Sequence, residues 1–158
     1  MQEAVRPARA DDVPRLAELV AAAVAELAPM KGGAVWRARE APTEPFDRRL
    51  DDAIDDPDAH IVAGTIDDVV IGYGLARVEE LRDGTRLGVV DDLFVEEGAR
   101  AVGVGEAIMG ALVKWCRDRG CRGIDAMALP GHRAAKNFFE ESGFVARKIV
   151  MHRPLADE

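Results

Sequence analysis

Residues 90–109 carry the most constraining run of the chain: Val90-Asp-Asp-Leu-Phe-Val95-Glu-Glu-Gly-Ala-Arg100-Ala-Val-Gly103-Val-Gly105-Glu-Ala-Ile-Met109. An apolar, β-prone stretch ends in a short polar turn. The pattern Arg-x-x-Gly-x-Gly then opens an amphipathic helix. The first N–H groups of a helix have no partner inside it, and its dipole favours negative charge there. That combination makes a seat for phosphate oxygens. Glycine lets the backbone approach a bulky anion without a Cβ in the way. The run therefore predicts a pyrophosphate cradle between a strand and a helix.

Two other phosphate loops are excluded by their own chemistry. A Walker A loop ends in Gly-Lys-Ser/Thr, whereas Glu106 and Ala107 follow Gly105. A dinucleotide fingerprint needs a third glycine, and Ile108 stands in its place. That fingerprint also belongs near the start of a βαβ unit, not two-thirds of the way along the chain.

The rest of the sequence divides into short elements. Ala4–Ala8 reads as a first strand. Asp11, Asp12 and Pro14 read as a helix start, with an aspartate cap and proline in the first turn. Val13, Leu16, Val20, Ala23, Val24 and Leu27 recur at helical spacing up to Ala28-Pro29. Met30–Pro45 reads as irregular, and a second helix is expected over Phe46–Ile54. Strands follow at His60–Thr65 and Val69–Val78. Asp83-Gly84 signals a hairpin into a strand over Arg86–Val95. The helix after the cradle presents Val104, Ile108, Ala111, Leu112, Trp115 and Cys116, and Gly120 stops it. Gly123–Leu129 is a further strand. Ala135, Phe138 and Phe139 mark a last helix that ends at Gly143, and Phe144–Met151 is expected to form a final strand.

Composition bounds the function. With 158 residues the chain is long enough for one domain, here taken as residues 1–158, with its own core. Hydrophobic residues are 48% and charged residues 32%, an ordinary globular balance. No apolar run approaches the ~20 residues of a membrane span. The start lacks the basic and apolar segments of a signal peptide, so a cytoplasmic protein without membrane attachment is expected. A formal net charge of −8 argues against nucleic acid as the main partner and is compatible with a cationic substrate. Cys116 and Cys121 form no Cys-x-x-Cys and have no nearby histidine, so no metal is expected, and Cys116 is read as a buried reduced thiol.

Two motifs in order carry a resemblance to the GCN5-related N-acetyltransferase (GNAT) family. Arg100-Ala-Val-Gly103-Val-Gly105 resembles its acyl-CoA pyrophosphate motif. Ala135-Lys-Asn-Phe-Phe139-Glu-Glu-Ser-Gly143-Phe144 is similar to its closing helix. The likeness runs from about Asp11 to His152. It implies the order β-α-α-β-β-β-α-β-α-β, an α/β (mixed α+β) fold with a mixed, mostly antiparallel central sheet and helices on both faces. It further implies acetyl transfer from acetyl-CoA to a primary amine, with no metal, by direct attack in a ternary complex. The acceptor class, a small molecule or a protein amine, stays open, and a homodimer is common in such proteins.

The resemblance also implies roles. The N–H groups of Arg100, Ala101, Val102, Gly103, Val104 and Gly105, with Glu106 beyond them, would meet the pyrophosphate. The pantetheine arm would pair with backbone near Phe94 and Val95, and the Val95 N–H could polarise the thioester carbonyl. Asp92, or else Asp91, would take the amine proton, and strand alternation is expected to send the two to opposite faces. Such a base is needed because an amine with pKa near ~10.4 is almost wholly protonated at pH 7. His132 and Asn137 would border the coenzyme. Phe139 stands where the family often has a tyrosine that reprotonates the thiolate, and the one tyrosine, Tyr73, reads as a core or bulge residue. Trp36 reads equally as acceptor-site wall or core closure. An acyl-CoA-binding sensor without catalysis is the alternative reading.

Overall fold

The computed structural model describes residues 2–156, with the side chains of Ala101 and Val102 excepted. Five strands form one sheet in the order β1 (Glu3–Pro7), β2 (Ala59–Ile66), β3 (Val69–Glu80), β4 (Arg86–Val95) and β5 (Cys121–Ala126). Neighbours are antiparallel except β4 and β5, which are parallel. Turn chemistry sets this pattern. Asp67 and Asp68 join β2 to β3 at φ 48° and 69°, the positive values that a two-residue hairpin loop needs. Gly84, at φ 84°, closes the hairpin foreseen at Asp83-Gly84. The parallel pair needs a crossover instead, which α4 (Val104–Asp118) supplies.

Helices cover both faces of the sheet. α1 (Val13–Leu27) and α3 (Phe46–Asp55) bury Leu16, Leu19, Val20 and Leu50 against Ile61, Ala63, Tyr73, Leu75 and Phe94. On the other face α4 buries Ile108, Met109, Leu112 and Cys116 against Val62, Ile71, Ala76, Val90 and Val95. Each buried Val, Leu, Ile, Phe or Met side chain among these contributes roughly 1.5–3 kcal/mol of transfer free energy. The alternation along β2, with Ile61 and Ala63 on one side and Val62 on the other, is the period-two pattern of a strand covered twice.

Three elements differ from the sequence expectation. A short helix, α2 (Gly33–Arg39), lies inside the stretch read as irregular. Its anchor is Trp36, buried with Val24, Ala41 and Leu129. Asp12 does not cap α1. Its carboxylate instead accepts a fork from Arg6, at 2.7 and 2.9 Å, and the Arg9 N–H at 2.8 Å. The ion pair outcompetes the cap because both carboxylate oxygens are already committed. The final strand expected over Phe144–Met151 is not formed. Beyond α5 (Arg133–Glu141), Val145, Ile149, Val150 and Met151 are 77–87% exposed. The segment touches β5 through the Arg147–Asp125 ion pair, but strand propensity without a paired ladder does not make a strand.

The approach of α4 to the sheet sets the site. A Cβ on Gly74 would lie 2.5 Å from Ile108 Cγ2, and one on Gly64 2.6 Å from Val104 Cγ1. These bare positions let the helix sit close, so its first turn meets the end of β4. Gly74→Ala is therefore expected to cost about 1–3 kcal/mol through overpacking, read as a lower urea midpoint at unchanged slope.

Candidate active site

The site is built where two paired strands part. β4 and β5 pair only as far as Val90 opposite Ala126. Beyond that point β4 continues to Val95 with β3 on one edge alone. The Glu96 N–H reaches the Ile71 carbonyl at 2.9 Å. In an antiparallel ladder this places the N–H and C=O of Val95 on the edge away from β3. No strand covers that edge, although Arg100 Nε takes the Val95 carbonyl at 2.8 Å.

A bulge stands at the mouth of the opening. Ala76 pairs with Val90 and Leu75 with Asp92, so Asp91 is the extra residue. Its effect overturns the alternation argument. Asp92 bonds Tyr73 and Asp91 bonds Arg77, and Tyr73 and Arg77 lie on one face of β3. Both carboxylates thus serve the same side.

Their surroundings differ sharply. The Asp92 side chain is 6% exposed and accepts a fork from Arg49 of α3, at 2.9 and 2.6 Å. The hydroxyl of the fully buried Tyr73 donates to it at 2.7 Å. Burial first, and the charge of Asp92 second, hold the Tyr73 phenol well above its ordinary pKa, so Tyr73 keeps its proton on Asp92. Asp91 has a looser partner, Arg77 Nε at 3.0 Å. Burial pushes its carboxyl up; Arg77 opposes this and the neighbouring Asp92 adds to it.

A cavity of about 290 Å³ runs along the open edge. Asp91, Asp92, Phe94 and Val95 line it from β4, and Gly105 and Glu106 from the first turn of α4. α5 contributes Ala134, Ala135, Phe138 and Phe139, with His132 at its start. α1 and α2 close the far wall with Val24, Glu26, Leu27 and Trp36. Trp36 is thus both buried in the core and part of the cavity wall.

Gly103 sits at φ 84° before α4, a conformation that disfavours any Cβ, and no side chain caps the helix. The first-turn N–H groups are thus left for an anion. Val104 is fully buried in the core, so only its backbone can serve a ligand. The Ala101 and Val102 side chains lie outside the described residues. Arg100 does not face the cradle. It crosses the cavity, its Nε on the Val95 carbonyl at 2.8 Å and its Nη2 on Glu26 at 2.8 Å, with the guanidinium over the Phe94 ring. Asn137 is not brought to the cavity. It is exposed, because residues 134, 135, 138 and 139 occupy the inner face of α5 and leave 137 on the outer one.

Arg49, Arg77 and Glu26 carry no motif that the sequence could have shown; only the fold brings them to the site. Cys116 is buried and its thiol is pushed up to about 12, chiefly by burial, so it offers no thiolate nucleophile. Among the described residues no cluster of His, Cys, Asp or Glu could hold a metal ion, and no helix is long and apolar enough to cross a membrane.

Strand order, split sheet and cradle together describe an acetyltransferase fold, and comparison with known proteins agrees. Residues 21–144 match the acetyltransferase (GNAT) family, and the chain belongs to it. It is 31% identical over 80 residues to glucosamine 6-phosphate N-acetyltransferase 1 of Oryza sativa subsp. japonica, a match that covers 51% of this chain and 47% of that protein. The chain thus matches about half the length of that curated relative. The crystal structure of glucosamine-6-phosphate N-acetyltransferase from Arabidopsis thaliana superposes with a TM-score of 0.73 at 18% identity, over 99% of this chain and 100% of the other. AAC(6')-Iy, in complex with a bisubstrate analogue containing CoA, gives 0.76 at 16% identity, over 99% and 100%.

The Arg49–Asp92 pair is expected to hold α3 to β4. Arg49→Met leaves a buried carboxylate with the Tyr73 hydroxyl alone and should cost about 3 kcal/mol. A double-mutant cycle with Asp92→Asn should return a coupling energy of about 1–3 kcal/mol, measured by denaturant unfolding.

Proposed function

We propose that this chain is a cytoplasmic acyl-CoA-dependent N-acetyltransferase that moves an acetyl group from acetyl-CoA to a primary amine by direct attack. One observation carries the reading: a single cavity joins an uncapped helix start, an open strand edge and a raised carboxyl group. Bound acetyl-CoA would supply an acetyl group activated as a thioester. The first-turn N–H groups of α4, from Val104 to Glu106, would hold its pyrophosphate. The N–H and C=O of Val95 would pair with the amides of its arm, and Phe94, Phe138 and Phe139 would give the arm an apolar bed.

Asp91 is the better proton acceptor of the two aspartates. Asp92 has both oxygens engaged by Arg49 and one also by Tyr73, whereas Asp91 shares a single Arg77 N–H between its oxygens, at 3.0 and 3.2 Å, and is more exposed. In the transfer an ammonium proton passes to Asp91, directly or through water. The freed nitrogen then bonds to the acetyl carbon as the carbon–sulfur bond breaks. As the amide forms, the nitrogen gives its second proton to water, and water returns a proton to the leaving thiolate, since Phe139 has no hydroxyl and the Tyr73 proton is committed to Asp92. A CoA thiol with a pKa similar to cysteine's ~8.5 is a tolerable leaving group without a dedicated acid.

The sensor reading keeps one observation in its favour, the absence of a tyrosine at Phe139. Calorimetric titration with acetyl-CoA, run beside NAD, tests the donor site. Micromolar binding of acetyl-CoA alone is expected, and an amine screen on the same protein separates enzyme from sensor. Gly105→Val, which fills the cavity where a Cβ would stand 3.4 Å from Phe138, should weaken acetyl-CoA at least tenfold.

The base makes a second expectation. Asp91 must be ionised to accept a proton, so turnover should fall as pH drops through a value above the ordinary 3.8. Asp91→Asn should reduce kcat by about 10²–10⁴ and remove that acidic limb, with acetyl-CoA affinity kept. A pH profile of kcat/KM for both proteins checks this.

A further inference from the structure

Arg100 has two claims on it. In the structure it is bound to Glu26 of α1, with Nη2 at 2.8 Å from Oε1 and 3.0 Å from Oε2. Its Nε occupies the Val95 carbonyl, the strand-edge acceptor that the donor's arm needs. It is also the basic residue of the pyrophosphate motif. One guanidinium cannot lie across Phe94 on Glu26 and Val95 while serving a phosphate and leaving the edge free. Occupation of the donor site as proposed above would draw Arg100 off Glu26.

The consequence follows from what surrounds the released carboxylate. Among the described residues lining the cavity, Glu26, Asp91, Asp92 and Glu106 are acidic, and Arg100 is the single lysine or arginine. The Glu26 side chain is only 27% exposed and is flanked by Ala23, Val24, Leu27 and Trp36. A part-buried carboxylate that has lost its cation favours taking up another. We infer that Glu26 is a cation subsite of the acceptor pocket, opened when Arg100 leaves it for the donor. The acceptor is then an amine with a second positive charge on an apolar spacer: one ammonium at Asp91, the other on Glu26, the spacer along Val24, Leu27 and Trp36. A phosphate-bearing acceptor would meet the released Glu26 carboxylate and is disfavoured. This inference rests on the donor site proposed above. It assigns the two sites a reciprocal coupling, since whatever removes Arg100 from Glu26 favours the second ligand.

Calorimetry on the folded full chain tests both halves without turnover. Glu26→Gln removes the competitor for Arg100, so acetyl-CoA should bind it roughly five-fold more tightly than it binds the wild type; Glu26→Ala should move affinity the same way. With CoA saturating, 1,5-diaminopentane should bind the wild type at least ten-fold more tightly than 1-aminopentane, and Glu26→Gln should erase that preference. In the amine screen the same preference should appear in KM, with glucosamine 6-phosphate the poorer acceptor. Failure of either protein to bind acetyl-CoA overturns the donor reading and this inference with it. Equal acetyl-CoA affinities for wild type and Glu26→Gln, or no diamine preference on the CoA-loaded wild type, overturns the cation subsite alone.

Discussion

The parting of β4 from β5 is the constraint on which the molecule's chemistry depends. A paired strand has no backbone groups to offer, and an unpaired strand inside a protein is costly. This fold resolves the conflict by pairing β4 and β5 only to Val90 and Ala126, then leaving the edge at Val95 open onto a cavity. The same split aims the first turn of α4 at the cavity's end. Backbone carries most of this arrangement. That is why two glycines and an apolar strand suffice to announce it in the sequence.

Legibility divides along that line. The helix start was readable because Gly103 and Gly105 are local in sequence and their spacing has a direct conformational meaning: Gly103 takes a φ of 84° just before α4. The hairpin at Asp83-Gly84 and the cores of α1 and α4 were readable for the same reason. The bulge at Asp91 was not, since it is a property of two strands in register and not of one sequence. Missing it led to the expectation that the two aspartates face apart. Arg49 was invisible for a related reason: it lies 43 residues from Asp92, and one arginine in an amphipathic helix looks like any solvated one. The segment after α5 shows the opposite failure. Val145, Ile149 and Val150 have strand-forming character, but no neighbouring ladder engages them.

The two adjacent aspartates show how one environment separates two like groups. Two free carboxylates side by side would each resist ionisation of the other. Arg49 removes that conflict by holding Asp92 as a paired anion, and Tyr73 completes its coordination from beneath. Asp92 then acts on Asp91 as a fixed negative charge. Together with burial, it pushes the Asp91 carboxyl upward against the pull of Arg77. Neighbouring titratable groups whose environments drive them apart are the usual sign of divided labour in an active site. Here the division is between an anchor that ties α3 to the sheet and a more loosely held carboxyl group that lines the cavity. The anchor also explains why the sole tyrosine is buried. Its hydroxyl donates to a desolvated carboxylate that Arg49 alone would leave partly unsatisfied.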